Sequence, residues 1–131
     1  MRLLLDTHVW LWLIGDADRL RPEARTTLAA PDSELFLSVA AVWEIAIKTA
    51  AGKLRYVGQP AVQLPIHITR SGVIPLGISI EHALAAAALP MHHRDPFDRM
   101  MIAQAQAEEL TLATADERFK AYEVRLLEVV A

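Results

Sequence analysis

Residues 3–14 read Leu-Leu-Leu-Asp-Thr-His-Val-Trp-Leu-Trp-Leu-Ile, and the class of fold follows from this order. The three leucines have the length of a short buried strand, and Gly15-Asp16 ends the helical segment that follows Asp6. A fully apolar strand followed at once by a helix is typical of a parallel sheet covered on both faces. Because such sheets bind ligands beyond the carboxyl ends of their strands, Asp6 stands where function is expected.

The same alternation of strand and helix continues along the chain. After the strand at 3–5 and the helix at 7–14, we predict strands at 35–37, 73–74, 111–114 and 124–129, and helices at 22–31, 39–51, 79–89 and 96–109. We predict a loop and a helix interrupted by Pro60 and Pro65 between residues 58 and 71, and a helical turn near Phe119. With no repeat or linker visible, residues 1–131 are expected to form one α/β domain.

Several residues have expected roles in capping helices or filling the core. Ser38 is predicted to cap the helix at 39–51, and Asp95 to cap the helix that Pro96 opens. The helix at 39–51 carries only two charges, so most of its circumference is expected to be buried. The tryptophans lie inside apolar runs and are predicted to belong to the core rather than to stack on bases: Trp10, Trp12 and Trp43.

Composition excludes several classes of protein. At 131 residues and 53% apolar content the chain can bury a core, which excludes a disordered segment. Thirteen basic against 16 acidic residues give a charge of −3, so a polyanionic partner would need bound cations rather than a basic surface. The absence of cysteine excludes disulfides and thiolate chemistry. With no export signal and no membrane-length apolar run, a cytoplasmic protein is expected.

Four carboxylates occur where predicted strands end or where the following helices begin. Asp6 and Asp116 follow strands, Glu44 lies about one and a half turns into the helix at 39–51, and Asp98 lies in the first turn of the Asp95 helix. Carboxylates brought together repel one another and need a cation. Oxygen ligands alone favour Mg²⁺ or Mn²⁺, which promote hydrolysis of phosphodiesters. The pattern therefore predicts metal-assisted hydrolysis of nucleic acid.

Each acid also has a structural explanation. Asp6 and Asp116 are suited to capping the segments that follow them, and Asp98 to interacting with a helix dipole. Glu44 is spaced to pair with Lys48 across one helical turn. Taken singly, each acid is more often structural than catalytic. Their joint placement favours the metal site, because structural roles do not require all four at one edge.

Four stretches in order resemble one known family. They are Leu-Leu-Asp-Thr-His-Val-Trp-Leu-Trp (4–12), Trp-Glu-Ile-Ala-Ile-Lys (43–48), His-Arg-Asp-Pro-Phe-Asp-Arg-Met-Met-Ile-Ala-Gln-Ala (93–105) and Leu-Ala-Thr-Ala-Asp-Glu-Arg-Phe (112–119). The set is similar to the PIN-domain nucleases, in particular the VapC toxins of toxin–antitoxin pairs. The resemblance implies a three-layer α/β/α sandwich around a parallel sheet. It also implies a Mg²⁺- or Mn²⁺-dependent ribonuclease, a small cognate antitoxin and a homodimer.

The resemblance also assigns roles to residues. It makes Asp6 and Asp98 the direct metal ligands, with Glu44 and Asp116 completing the site partly through water. Thr7 and Thr114 match hydroxyl positions beside that site and are expected to donate hydrogen bonds there. Ala41 departs from the serine that relatives often carry three residues before the glutamate.

The basic side chains near the acids have weaker expected roles. Arg94 and Arg99 flank the Asp98 position and are candidates for phosphate contacts, with ordinary surface charge as the alternative. His92 and His93 are adjacent and lack the spacing of a zinc motif, so a solvated loop or a phosphate contact is favoured over a transition-metal site. His8 is expected to pack or cap rather than to reach the site.

Two other functions are alternatives to a nuclease. A phospho-acceptor receiver domain would need an acidic pair after the first strand and an acceptor aspartate after the third, and this chain has a lone Asp6 and none near Ile74. A PIN-like module that binds RNA or a partner without cutting is the closer alternative. The presence of all four acids favours catalysis. No motif specifies which RNA is cut.

Overall fold

A computed structural model describes residues 1–130 and contains a five-stranded parallel sheet, in the order β3-β2-β1-β4-β5, flanked by six helices. The strands are β1 (Arg2–Leu5), β2 (Glu34–Ser38), β3 (Ile74–Leu76), β4 (Thr111–Thr114) and β5 (Leu126–Glu128). The helices are α1 (Thr7–Gly15), α2 (Pro22–Ala29), α3 (Val39–Ala50), α4 (Pro60–Ser71), α5 (Ile80–Ala88) and α6 (Pro96–Ala107). This confirms the three-layer α/β/α class. In the described part of the chain, no helix is long and apolar enough to span a membrane.

Strand β1 lies at the centre of the sheet, as its three leucines predict. It pairs with β2 on one side and β4 on the other, and Leu3, Leu4 and Leu5 are fully buried. Complete burial of three leucines stabilises the fold by about 5–9 kcal/mol before chain entropy is counted. The pairing of β1 with β4 brings the residues that follow these two strands, including Asp6 and Asp116, to the same edge of the sheet.

Helix caps hold the chain at this edge. Asp6 accepts the backbone N–H of Thr7 at the start of α1, and Ser38 accepts that of Ala40 at the start of α3, as predicted. Asp95 accepts the backbone N–H groups of residues 97 and 98, which confirms its predicted capping of α6. Capping of this kind is worth about 1 kcal/mol at each helix. The caps therefore fix where the helices begin, and with them the acids nearby.

Most boundaries differ from the sequence prediction by one or two residues, and three elements differ in a way that has a physical explanation or is larger. Helix α4 runs unbroken through Pro65, which the sequence predicted as an interruption. The carbonyl that loses its partner belongs to Ala61, an exposed residue, so water can satisfy it. Strand β3 includes Pro75, which is tolerated because β3 is an edge strand. Strand β5 is shorter than predicted and spans only Leu126–Glu128.

Helix α3 is less buried than its composition suggests. Val39, Trp43 and Ile47 recur at four-residue spacing and form an exposed apolar stripe, with Trp43 60% exposed. The core position predicted for Trp43 is therefore wrong, and its ring packs edge-on against Phe97 at the protein surface. Trp10 is fully buried as predicted, and its indole N–H donates to Ser71 at the end of α4.

Arg99 holds together the loop between α5 and α6. It is only 7% exposed, and its guanidinium donates to four backbone carbonyls, those of residues 86, 89, 90 and 93. The phosphate contact expected for Arg99 is therefore wrong, because its guanidinium group donates its hydrogen bonds to backbone carbonyls of the protein itself. Sequence could not reveal this, since the carbonyls that it binds carry no side-chain signature.

We expect Arg99→Lys to lower the free energy of unfolding by about 2–4 kcal/mol, measured by urea denaturation. A lysine keeps the charge but cannot reach four carbonyls with one ammonium group. The matched control is Arg94→Lys, five residues earlier and exposed, which should change stability by less than about 0.5 kcal/mol. Equal effects of the two substitutions would contradict the role assigned to Arg99.

Candidate functional site

Asp6 is fixed from two sides at the carboxyl end of β1. Its Oδ1 accepts the backbone N–H of Thr7 at 2.8 Å, and its Oδ2 accepts the hydroxyl of Thr114 at 2.8 Å. Thr114 is the last residue of β4, so this bond joins the ends of two adjacent strands. The structural explanation for Asp6 as a helix cap is correct, and the carboxylate also faces the other acids.

Glu44 is almost fully buried, although it is a charged residue on a helix. Its Oε1 accepts the Thr7 hydroxyl at 2.6 Å, and its Oε2 lies 2.5 Å from the ammonium of Lys48. Burying a carboxylate without a partner is costly, and these two contacts offset part of that cost. The pair with Lys48 predicted from the four-residue spacing is present, but it lies at the sheet edge beside the other acids.

Asp98 and Asp116 approach each other near His93. The Nε2 atom of His93 lies 2.8 Å from Asp98 Oδ2 and 3.6 Å from Asp116 Oδ2. One possible ligand atom from each of these three residues falls within a group less than 4.8 Å across. Asp116 also accepts a hydrogen bond from Arg118, whose Nη2 lies 2.7 Å from Oδ2. The charges of Asp6 and Glu44 also act on Asp98, so the four acids that the sequence singled out lie near one another.

The electrostatics of the cluster are unfavourable without a cation. Burial raises the pKa of Asp6 to about 6. Burial, followed by the negative charges of Asp6, Asp95, Glu44 and Asp116, raises the pKa of Asp98 to about 8. Near neutral pH, this carboxyl group resists ionisation because it is buried among like charges. A bound cation would reverse that resistance.

Two groups at the site, Asp116 and Lys48, have pKa values shifted in favour of their charged forms. Hydrogen bonding from Arg118 lowers the pKa of Asp116, which is more exposed than the other acids. Burial alone would lower the pKa of Lys48, but its contact with Glu44 and the charges of Asp95 and Asp98 raise it overall. Lys48 therefore stays charged and neutralises part of the acidic cluster.

The residues present fit a hard divalent cation. Carboxylate oxygens converge with no cysteine in the chain, and this donor set suits Mg²⁺ or Mn²⁺. The buried Nε2 of His93 points into the cluster and, within residues 1–130, makes no hydrogen bond of good geometry. The negative charges crowded around the buried Asp98 indicate that the cluster is incomplete without a cation.

The remaining predicted residues fall into different places. Thr7 and Thr114 contact Glu44 and Asp6 as described above, so both hydroxyls lie where they were expected. Arg94 is exposed, and its contact with phosphate stays a prediction. His8 is exposed and its ring lies 6.2 Å from that of Trp12, so it neither caps nor packs in the core.

His93 is the functional candidate that sequence reasoning undervalued. It was expected in a solvated loop or on a phosphate, and it is instead 3% exposed and in contact with two of the four acids. Its position two residues before a helix cap was the available signal, because a cap fixes the orientation of the chain just before it. The adjacent His92 is exposed.

A second feature is an open cavity of about 750 Å³ between α1 and α4. Its wall is formed by apolar and aromatic side chains such as Leu11, Trp12 and Tyr56. Arg55 and Arg70 are exposed and line the same cavity. An apolar groove with exposed arginines suits a peptide that carries both apolar and acidic side chains.

Together these features define an α/β protein with an acidic site at the carboxyl edge of a parallel sheet. A model of the PIN domain matches residues 3–124, and the chain belongs to this family. No curated protein sequence matches it.

Solved structures with the same fold cover almost the whole chain. VapBC2 from Rickettsia felis bound to a promoter DNA fragment aligns with 98% of this chain and 99% of its own, at a TM-score of 0.73 and 19% identity. DNA-bound VapBC from Salmonella typhimurium aligns over 98% of both chains at 0.68 and 16% identity. A toxin-antitoxin complex from Klebsiella pneumoniae aligns over 95% of both at 0.66 and 20% identity. At these identities the likeness establishes the fold.

The raised pKa of Asp98 makes the metal-free protein less stable as the pH rises. The group binds its proton below about pH 8 in the folded protein but only below 3.8 as a free side chain. Between these values the folded state holds a proton that the unfolded chain has released, so the free energy of unfolding falls with increasing pH. We expect a loss from about pH 5 to about pH 8 in EDTA, at no more than about 1.4 kcal/mol per pH unit from this group.

Asp98→Asn isolates the contribution of Asp98, because it keeps every other titrating group. Urea denaturation of the variant should give a shallower decline over the same range of pH. Parallel curves for the variant and the wild type would show that Asp98 does not carry the effect.

Proposed function

We propose that this protein is a Mg²⁺- or Mn²⁺-dependent ribonuclease acting as the toxin of a type II toxin–antitoxin pair, of the VapC type. The observation that carries the proposal is the convergence of four acids at one edge of the sheet. Thr7 contacts both Asp6 and Glu44, Thr114 contacts both Asp6 and Asp116, and His93 lies between Asp116 and Asp98. Membership of the PIN family supports it, since PIN domains are generally nucleases. The lack of cysteine supports a cytoplasmic location as part of this proposal.

In this proposal Asp6 and Asp98 hold the cation directly, and Glu44 and Asp116 hold it partly through water. When bound, the cation would neutralise the phosphodiester and lower the pKa of a water molecule. The Thr114 hydroxyl keeps Asp6 Oδ2 in place, and Thr7 and Lys48 do the same for Glu44. These bonds orient the carboxylate oxygens in advance, which avoids rearrangement during the reaction.

The substrate phosphates would meet basic groups around an acidic centre. Arg94 is exposed just before α6 and Arg118 is exposed beside Asp116, so both can reach a polyanion that approaches this edge. Since the chain as a whole carries a charge of −3, long-range attraction of RNA is weak. Binding of RNA is therefore expected to depend on the cation and these local contacts.

The alternative is a PIN-like module that binds RNA or a partner without cleaving it. The burial of Glu44 and the raised pKa of Asp98 favour catalysis, because a module without chemistry gains nothing from an unfavourable cluster of acids. Both functions predict RNA binding, so only cleavage separates them.

The purified protein, freed of any partner, should cleave RNA in Mn²⁺ or Mg²⁺ and stop when EDTA is added. Asp6→Asn and Asp98→Asn should each reduce the rate by more than about 100-fold while circular dichroism stays unchanged. The matched control is Asp32→Asn, an exposed acid ahead of β2, which should retain full activity. Intact RNA under all conditions would favour the binding module.

The same substitutions test the role as a toxin in cells. Induced expression of the wild type should arrest growth, and Asp6→Asn or Asp98→Asn should relieve the arrest. Full toxicity in both variants would defeat the assignment of the site. Sequencing the RNA ends produced on induction would identify the target.

We propose a small antitoxin as the protein partner, with a second copy of this chain completing the assembly. The structural relatives described as VapBC and toxin-antitoxin complexes support an antitoxin. The apolar cavity between α1 and α4 is the surface we assign to it, because Arg55 and Arg70 would pair with acidic side chains on an apolar segment. The exposed apolar stripe of α3 is available for contact between copies.

Co-expression with the product of the adjacent reading frame tests the antitoxin site. We expect the two proteins to copurify and the complex to lack ribonuclease activity. Arg70→Glu should weaken the complex by about 10-fold or more by placing like charges together. Arg125→Glu is the matched control, because Arg125 precedes β5 at the opposite edge of the sheet. Equal weakening by both would remove the cavity as the docking surface.

A further inference from the structure

We propose that His93 is a positioning residue that orients Asp98 and Asp116 through its Nε2–H group and is not itself a metal ligand. The inference rests on the proposed function and adds a further residue that contacts its acids. His93 is the one residue in the cluster of three possible ligands that is not an acid. Its role depends on which of its two ring nitrogens carries the proton.

The backbone of the loop determines that tautomer. The N–H of Asp95 donates to Nδ1 of His93 over 3.3 Å, so Nδ1 must present a lone pair. In the neutral imidazole the proton then sits on Nε2, the nitrogen that faces the acids. An Nε2 atom that carries a proton cannot coordinate a metal, so the ring faces the site as a hydrogen-bond donor.

The proton on Nε2 has two carboxylates within reach. Asp98 Oδ2 lies at 2.8 Å and Asp116 Oδ2 at 3.6 Å, and His93 itself is 3% exposed. The alignment with either oxygen is poor in this structure, and the described residues offer Nε2 no better partner. A donor placed between two acids on different elements reduces their repulsion. A small rotation of either side chain would align the Nε2–H group with Asp98 Oδ2, which lies 2.8 Å away.

Residues outside the loop hold His93 in this position. The backbone N–H of His93 donates to the hydroxyl of Tyr122 at 2.8 Å, and its carbonyl accepts from Arg99 at 3.1 Å. The ring lies 5.7 Å from that of Phe119. The side chain is therefore fixed by contacts that involve neither a substrate nor a metal. Second contacts of this type around metal ligands orient the ligands and raise metal affinity.

The experiment uses two substitutions of different chemistry. His93→Gln keeps an N–H donor at nearly the position of Nε2, whereas His93→Leu has similar bulk and no donor. His92→Leu is the matched control, since His92 is adjacent and exposed. Mn²⁺ affinity is measured by electron paramagnetic resonance of the free ion, and the rate of RNA cleavage is measured at saturating Mn²⁺.

We expect His93→Leu to weaken Mn²⁺ binding by about 10- to 100-fold, with His93→Gln recovering most of the loss and His92→Leu unchanged. Pulsed resonance of the Mn²⁺-loaded wild type should show no directly coordinated nitrogen. Wild-type affinity in a folded His93→Leu variant, or a directly bound imidazole nitrogen, would overturn the proposal. Rescue by glutamine distinguishes lost orientation from lost packing.

A measurement on the metal-free protein separates this inference from the proposed function. Nitrogen-15 chemical shifts of the imidazole should show the proton on Nε2 of His93 in the wild type, whether or not the protein cleaves RNA. A proton on Nδ1 would overturn the inference by itself. Failure of the wild type to bind Mn²⁺ or cut RNA would reject the proposed function, and with it the role of His93 at a metal centre.

Discussion

Repulsion among carboxylates at one edge of the sheet is the constraint on which the rest of the site depends. Asp98 is surrounded by negative charge, and its partial burial removes much of the water that would screen it. The fold tolerates this with a set of fixed donors: Thr114 on Asp6, Thr7 and Lys48 on Glu44, Arg118 on Asp116. Each donor offsets part of the cost at one acid, and Asp98 is left with only a poorly aligned contact.

The sequence was sufficient to predict the parts of the fold that follow from apolar runs and caps. Burial of β1 and the caps at Ser38 and Asp95 were predicted because each depends on residues adjacent in sequence. Trp43 was placed wrongly because its burial depends on elements that are distant in sequence. An apolar helix indicates burial, but it does not say which side of the helix another element covers. The course of α4 through Pro65 likewise depends on exposure to water, which sequence does not encode.

The site likewise contains residues that the sequence predicted and residues that it did not. The four acids were singled out because each lies just after a strand or within the first two turns of a helix, and the parallel order of strands brings such positions to one edge. Arg99 was assigned wrongly because its partners are backbone carbonyls, and His93 because its contacts with Asp98 and Asp116 depend on the course of a loop. A carbonyl or an N–H leaves no trace in the sequence, so the arginine that binds four carbonyls looked like a surface charge. The loop between α5 and α6 is thus the part of the site that only coordinates reveal.

The bond between Thr114 and Asp6 spans 108 residues of sequence, and this separation matters during translation. Asp6 is synthesised 108 residues before Thr114, the residue of β4 that holds its carboxylate. A nascent chain that stops before β4 carries Asp6 without its partner strand and without Asp116. The acidic centre therefore cannot assemble until β4 and Asp116 have both been synthesised.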